Sequence, residues 1–110
     1  MKNITVFVNN EAVYDYDRDI TIEEEQLVFL DKMDSDMEKG IKIKGKLVSK
    51  PDSEQRATFV AMNMIKALQQ GNDAAIYASS AYLVHRNPTL SEVHVNDEGK
   101  TINVEFINEN

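Results

Sequence analysis

Two helix-forming stretches meet at Gly71-Asn72, and so short a link obliges them to pack as an antiparallel hairpin. The first opens at Pro51-Asp52-Ser53, where Asp52 and Gln55 have the spacing of a capping box, and is expected to end at Gln70 before Gly71. Its Ala57, Val60, Ala61, Met64, Ile65 and Leu68 cover more than half the circumference, which predicts a central helix buried on two sides. The second is expected from about Asp73 to Arg86, capped by Asn72 and stopped by Asn87-Pro88. Ala74, Ala78 and Ala81 line one side of it, so a neighbour can approach closely. A bulky residue at Ala78 is expected to overpack that contact by about 1–3 kcal/mol.

A third helix is expected upstream. Thr21 and Glu24 have capping-box spacing, and Glu23, Glu24 and Glu25 put negative charge where the first turn exposes amide groups. Gly40 follows Lys39 as the stop. Ile22, Phe29, Leu30, Met33 and Met37 fall on one wide stripe, with Leu27 at its edge, and are the expected core face.

Strands frame these helices. Ile4, Val6 and Val8 alternate with Thr5 and Phe7, Asn9-Asn10 suits a tight turn, and residues 12–16 read as the return strand. Ile41, Ile43 and Leu47 alternate with Lys42, Lys44 and Lys46 around Gly45, which predicts one strand with a basic face and a bulge. Val93 and Val95, a turn at Asp97-Glu98-Gly99-Lys100, and the alternation of Thr101, Asn103 and Glu105 with Ile102, Val104 and Phe106 give a second hairpin. The order is β-β-α-β-α-α-β-β. It implies an α+β fold, three helices packed on one face of a mostly antiparallel sheet, with residues 1–110 forming a single domain.

Composition narrows the function classes. Without cysteine there can be no disulfide framework, thiolate zinc site or cysteine nucleophile, which agrees with a reducing, cytoplasmic setting. No stretch approaches the roughly 20 apolar residues of a membrane span, and the start lacks the pattern of a signal peptide. The net charge of −7 disfavours general binding to nucleic acid or anionic membranes. That charge is uneven: residues 1–40 carry four basic and eleven acidic side chains, whereas residues 41–70 carry six basic and two acidic.

Glu24, Asp31 and Glu38 are seven residues apart and fall nearly on one line of the first helix, with Asp34 beside it. Like charges on one ridge cost a few tenths of a kcal/mol per pair unless something opposes them, so the ridge reads as a solvated face, a docking surface for a basic partner or, least favoured, a divalent-cation site in which Asp34 and Glu38 share one ion. The acid-rich run 31–38 lacks the glycine and closing glutamate of a calcium loop, so no metal or other cofactor is expected. Tyr14 and Tyr16 share one side of their strand, where they either cap the core or serve as contact residues. His85 lies in the last turn of its helix and His94 on the polar side of its strand. Neither belongs to a recognised zinc spacing. Ser79 and Ser80 lack a nucleophile elbow, and the four glycines form no phosphate-cradling cluster.

The expectation is therefore a small acidic, non-catalytic module that binds a protein partner or self-associates, using Glu24, Asp31, Asp34 and Glu38 with Tyr14 and Tyr16. The alternative is a small-molecule binder or enzyme with a pocket between sheet and helices that includes His85. A third reading, nucleic-acid binding by the lysine strand with Phe59 stacking on a base, is disfavoured by the acidic balance.

Overall fold

Strand geometry turns alternate side chains of β1 (Ile4–Val8) to opposite faces, which puts the aliphatic Ile4 and Val6 in the core and Thr5 and Phe7 on the other side. A computed structural model describes residues 3–17, 23–43, 45–99 and 102–108 of the chain. In it β1 turns through Asn9 and Asn10, both with left-handed φ angles (51° and 69°), into β2 (Glu11–Tyr16). Asparagine tolerates this conformation, so the turn forms without glycine. The Asn9 carboxamide also accepts from the Asp97 amide at 2.9 Å, which ties the turn to the far end of the chain.

The remaining elements are α1 (Glu24–Glu38), β3 (Ile41–Ile43), β4 (Lys46–Val48), α2 (Ser53–Gln70), α3 (Asp73–Arg86), β5 (Leu90–Asp97) and β6 (Ile102–Asn108). The fold is α+β, as expected, with the helices over one face of a four-stranded sheet of order β2-β1-β5-β6. Both hairpins pair antiparallel, while the central pair β1 and β5 is parallel, with Val6 opposite Val93 and Val8 opposite Val95. No helix among the described residues is long and apolar enough to cross a membrane.

The helix pair follows the expected local signals closely. Asp52 accepts from the Gln55 amide at 2.8 Å and Gln55 reciprocates at 2.9 Å, which completes the capping box of α2. Gly71 ends α2 at φ +68°, a left-handed C-cap that glycine adopts without strain. Asn72 then accepts from the Ala75 amide at 3.2 Å and starts α3. Ala57, Val60, Ala61, Met64, Ile65 and Ala67 of α2 are all buried, consistent with a helix covered on two sides. One apolar cluster joins all of these except Ala67 to Leu30 and Met37 of α1, to Ala81, Tyr82 and Leu83 of α3, and to Ile4, Val6, Val93 and Val95 of the sheet.

Three local expectations are corrected. The cap of α1 is Glu23, whose amide donates to the Gln26 side chain at 3.0 Å, and Glu24 lies inside the first turn. Thr21 and Ile22 lie outside the described residues, as do Lys44 and Thr101. Phe29 is 49% exposed rather than core, because Leu30 and Met37 define an inner face turned away from it. Finally, the single bulged strand is a hairpin that reverses at Gly45 (φ +80°), pairing Lys42 with Leu47 and Ile43 with Lys46. Residues paired across strands share a face. Ile41, Ile43 and Val48 therefore turn to the core side with Lys46, and Lys42 shares the outer face with Leu47. The expected basic face is thus divided.

Candidate functional site

Along α1 the 3.6-residue period separates two surfaces. Leu30 and Met37 are buried on the inner one, and Asp34 lies between them along the helix. Its carboxylate is the meeting point of all three helices. One oxygen accepts from the Tyr82 hydroxyl of α3 and from the Arg56 guanidinium of α2 at 3.1 Å. The other accepts from Arg86 Nε at 3.0 Å. Arg86 also reaches Asp31 at 2.9 Å, and Arg56 reaches Glu38 at 3.5 Å. Arg86 further lies over the Tyr82 ring, 5.6 Å from its centroid.

Burial pushes the Asp34 carboxyl up, but the hydrogen bonds from Tyr82, Arg86 and Arg56 outweigh it and hold the group below its ordinary range. Burial and the adjoining carboxylate both push the Tyr82 phenol up. Three of the four ridge carboxylates thus have arginine partners within the chain. Asp34 is largely withdrawn from solvent, whereas Asp31 and Glu38 keep 76% and 64% of their side chains exposed. Glu24 lies in the first turn and is exposed.

The outer surface of α1 is unusual in a different way. Leu27 is 39% exposed and Val28 is 63% exposed. At helical spacing Val28 neighbours Glu24, Glu25, Asp31 and Lys32, so an apolar side chain stands among three carboxylates and one ammonium. Leu27 lies between Glu24 and Asp31 on the same surface. Helical periodicity could locate the acids, but the exposure of Leu27 and Val28 depends on which side the other helices occupy.

Tyr14 and Tyr16 point together toward the helices. Tyr16 is buried, meets the Tyr77 ring of α3 edge-on at 5.5 Å, and its hydroxyl has no hydrogen-bond partner of ordinary geometry among the described residues. Burial pushes both phenols up, with further contributions from Tyr77. Tyr16 is therefore placed as a core side chain at the sheet's edge strand, and Tyr14 is half-buried beside it.

Clefts open on the surface formed by the described residues. One, about 510 Å³, lies between the β3-β4 hairpin and the start of α2 and is lined by Ile43, Lys46, Val48, Asp52, Glu54, Gln55 and Thr58. A second, about 180 Å³, separates Met33 and Met37 of α1 from Phe59 and Asn63 of α2 and Ser79 of α3. A third, also about 180 Å³, runs between Phe29 of α1 and Tyr77, Ala78 and Ala81 of α3. His85 is exposed and lines none of these. Ser80 is buried and donates to the Ile76 carbonyl at 2.8 Å, which occupies its hydroxyl as a helix back-bond.

On the open face of the sheet His94 stacks on Phe7, with ring centroids 4.4 Å apart and ring planes nearly parallel, and contacts Glu92 at 2.7 Å. Sequence alternation placed His94 on this face but could not show its parallel neighbour Phe7. Among the described residues no three acidic or histidine side chains converge closely enough to hold a metal ion. Comparison of the chain with protein-family models, with curated proteins and with solved structures found no match in any of the three.

Proposed function

We propose that this chain is a non-catalytic protein-binding module whose docking surface is the outer side of α1, centred on Val28 and Leu27 and flanked by Glu24 and Asp31. The observation that carries the reading is the 63% exposure of Val28 on a helix whose opposite face already buries Leu30 and Met37. Covering Val28 and Leu27 removes apolar surface from water at about 25 cal/mol per Å². The surrounding carboxylates favour a partner that sets basic side chains around an apolar contact. The Asp34 network supports the same reading, because it fixes α1 to both neighbouring helices and presents its outer side on a rigid support. The acid ridge contributes through its exposed members, Glu24, Asp31 and Glu38. A pocket chemistry centred on His85 gains no such support, since His85 is exposed and lines none of the clefts described above.

The test is a titration of isotope-labelled protein with an amphipathic Lys/Leu peptide, followed by amide shifts. Shifts centred on residues 24–31, abolished in the Glu24→Gln/Val28→Ser variant and retained in a distant Glu98→Gln control, are the expected result. Shifts spread over every acidic surface, or unchanged by Glu24→Gln/Val28→Ser, would remove the proposal.

A further inference from the structure

Leu47, at 69%, and Val28, at 63%, are the two most exposed large hydrophobic side chains among the described residues. They stand in patches of opposite charge. Val28 neighbours Glu24, Glu25 and Asp31 on α1. Leu47 lies directly across β3-β4 from Lys42 on the outer face, in a stretch where residues 41–50 hold four lysines and no acidic residue. Each patch therefore offers what the other lacks, an apolar side chain to cover and a charge of the opposite sign.

We propose that the partner for the α1 surface is a second copy of this chain, which contributes the outer face of its β3-β4 hairpin. This rests on the reading of α1 given above. Leu47 of one copy packs against Val28 and Leu27 of the next, while Lys42 faces Glu24 and Asp31. The two patches differ, so the contact is heterologous and each copy carries one donor face and one acceptor face. The hairpin suits the role of donor. Its inner side chains Ile41 and Val48 are held in the core cluster or against it, so the outer pair is presented on a fixed ribbon. Both patches are small, and the contact is correspondingly weak and dependent on concentration.

Analytical ultracentrifugation of the full chain from micromolar to millimolar concentration tests this. The intact protein is expected to pass from monomer to larger species as concentration rises. Glu24→Gln/Val28→Ser removes the acceptor face and Lys42→Gln/Leu47→Ser removes the donor face. All four positions are exposed, so each variant is expected to keep its fold, checked by circular dichroism. Each variant alone should stay monomeric. Mixed in equal amounts they should form a one-to-one heterodimer that grows no further, because each supplies the face the other has lost. An intact protein that is monomeric at millimolar concentration, association that survives either variant, or a mixture that stays monomeric would each overturn the proposal. A monomeric protein that still binds the Lys/Leu peptide at α1 would overturn self-association while leaving the docking surface in place. Loss of both would remove the docking surface as well.

Discussion

The Tyr82 hydroxyl donates to the Asp34 carboxylate across 48 residues of sequence, joining the last helix to the first. Arg56 and Arg86 converge on the same carboxylate, so removing its charge leaves two partly buried guanidinium groups facing a neutral side chain. Asp34→Asn is expected to cost about 2–3 kcal/mol, read as a lower urea midpoint, whereas Tyr82→Phe should cost about 1 kcal/mol. The acid limb gives a second readout. Asp34 titrates below its ordinary value of 3.8, so its contribution is fully present above that pH and is lost as pH falls through the folded value. The stability profile of Asp34→Asn should be flatter than that of the intact protein on this limb.

At alkaline pH the tyrosines reverse the sign. Tyr14, Tyr16 and Tyr82 all titrate above their ordinary value of 10.0, chiefly through burial. Above that pH the unfolded chain releases phenolic protons that the folded chain retains, so stability falls as pH rises. The expected slope approaches about one proton for each of these groups. It should shrink in Tyr16→Phe, which also replaces a buried hydroxyl that lacks an ordinary partner. Urea midpoints at a series of alkaline pH values measure both effects.

The alanine line of α3 is not uniform. Both Ala78 and Ala81 border the cleft opposite Phe29, but Ala81 is only 3% exposed and belongs to the core, while Ala78 is half-buried at the cleft's surface. Ala81→Leu should therefore overpack and cost about 1–3 kcal/mol. Ala78→Leu has room in the cleft and should change stability by no more than about 0.5 kcal/mol, contrary to the expectation from sequence. Thermal melts of the two variants, compared side by side, decide between uniform and graded packing.

The helix hairpin depends on its caps. Asp52→Ala removes the acceptor for the Gln55 amide and should cost about 1 kcal/mol. Gly71→Ala meets no neighbouring atom, so its cost is that of the left-handed backbone, about 1 kcal/mol. Gly71→Asn should recover part of that loss, because asparagine tolerates the same conformation. Chemical denaturation of the three variants gives the comparison.

Local signals made α2 and α3 legible almost to the residue, because Asp52, Gln55, Gly71 and Asn72 each act on groups a few positions away. The sheet's two hairpins were legible for the same reason. The parallel pairing of β1 with β5 was not, since nothing in either strand states which distant strand lies beside it. The hairpin at Gly45 escaped because strands of three residues are too short to show a period distinct from a bulged single strand. The acid ridge was correctly aligned on α1, yet its partners Arg56 and Arg86 lie 22 and 52 residues from Asp34. Only the packing of the helices reveals that the inner edge of that ridge is neutralised from within.

The central position of the β1-β5 pair also bears on how the polypeptide matures on the ribosome. Of the described strands, β1 is made well before its inner neighbour β5 and before β6, so Ile4 and Val6 leave the exit tunnel with half of this four-stranded sheet still unmade. At about 5–20 residues per second, that vulnerable interval lasts for seconds, and the helix hairpin is complete before the sheet it covers can close.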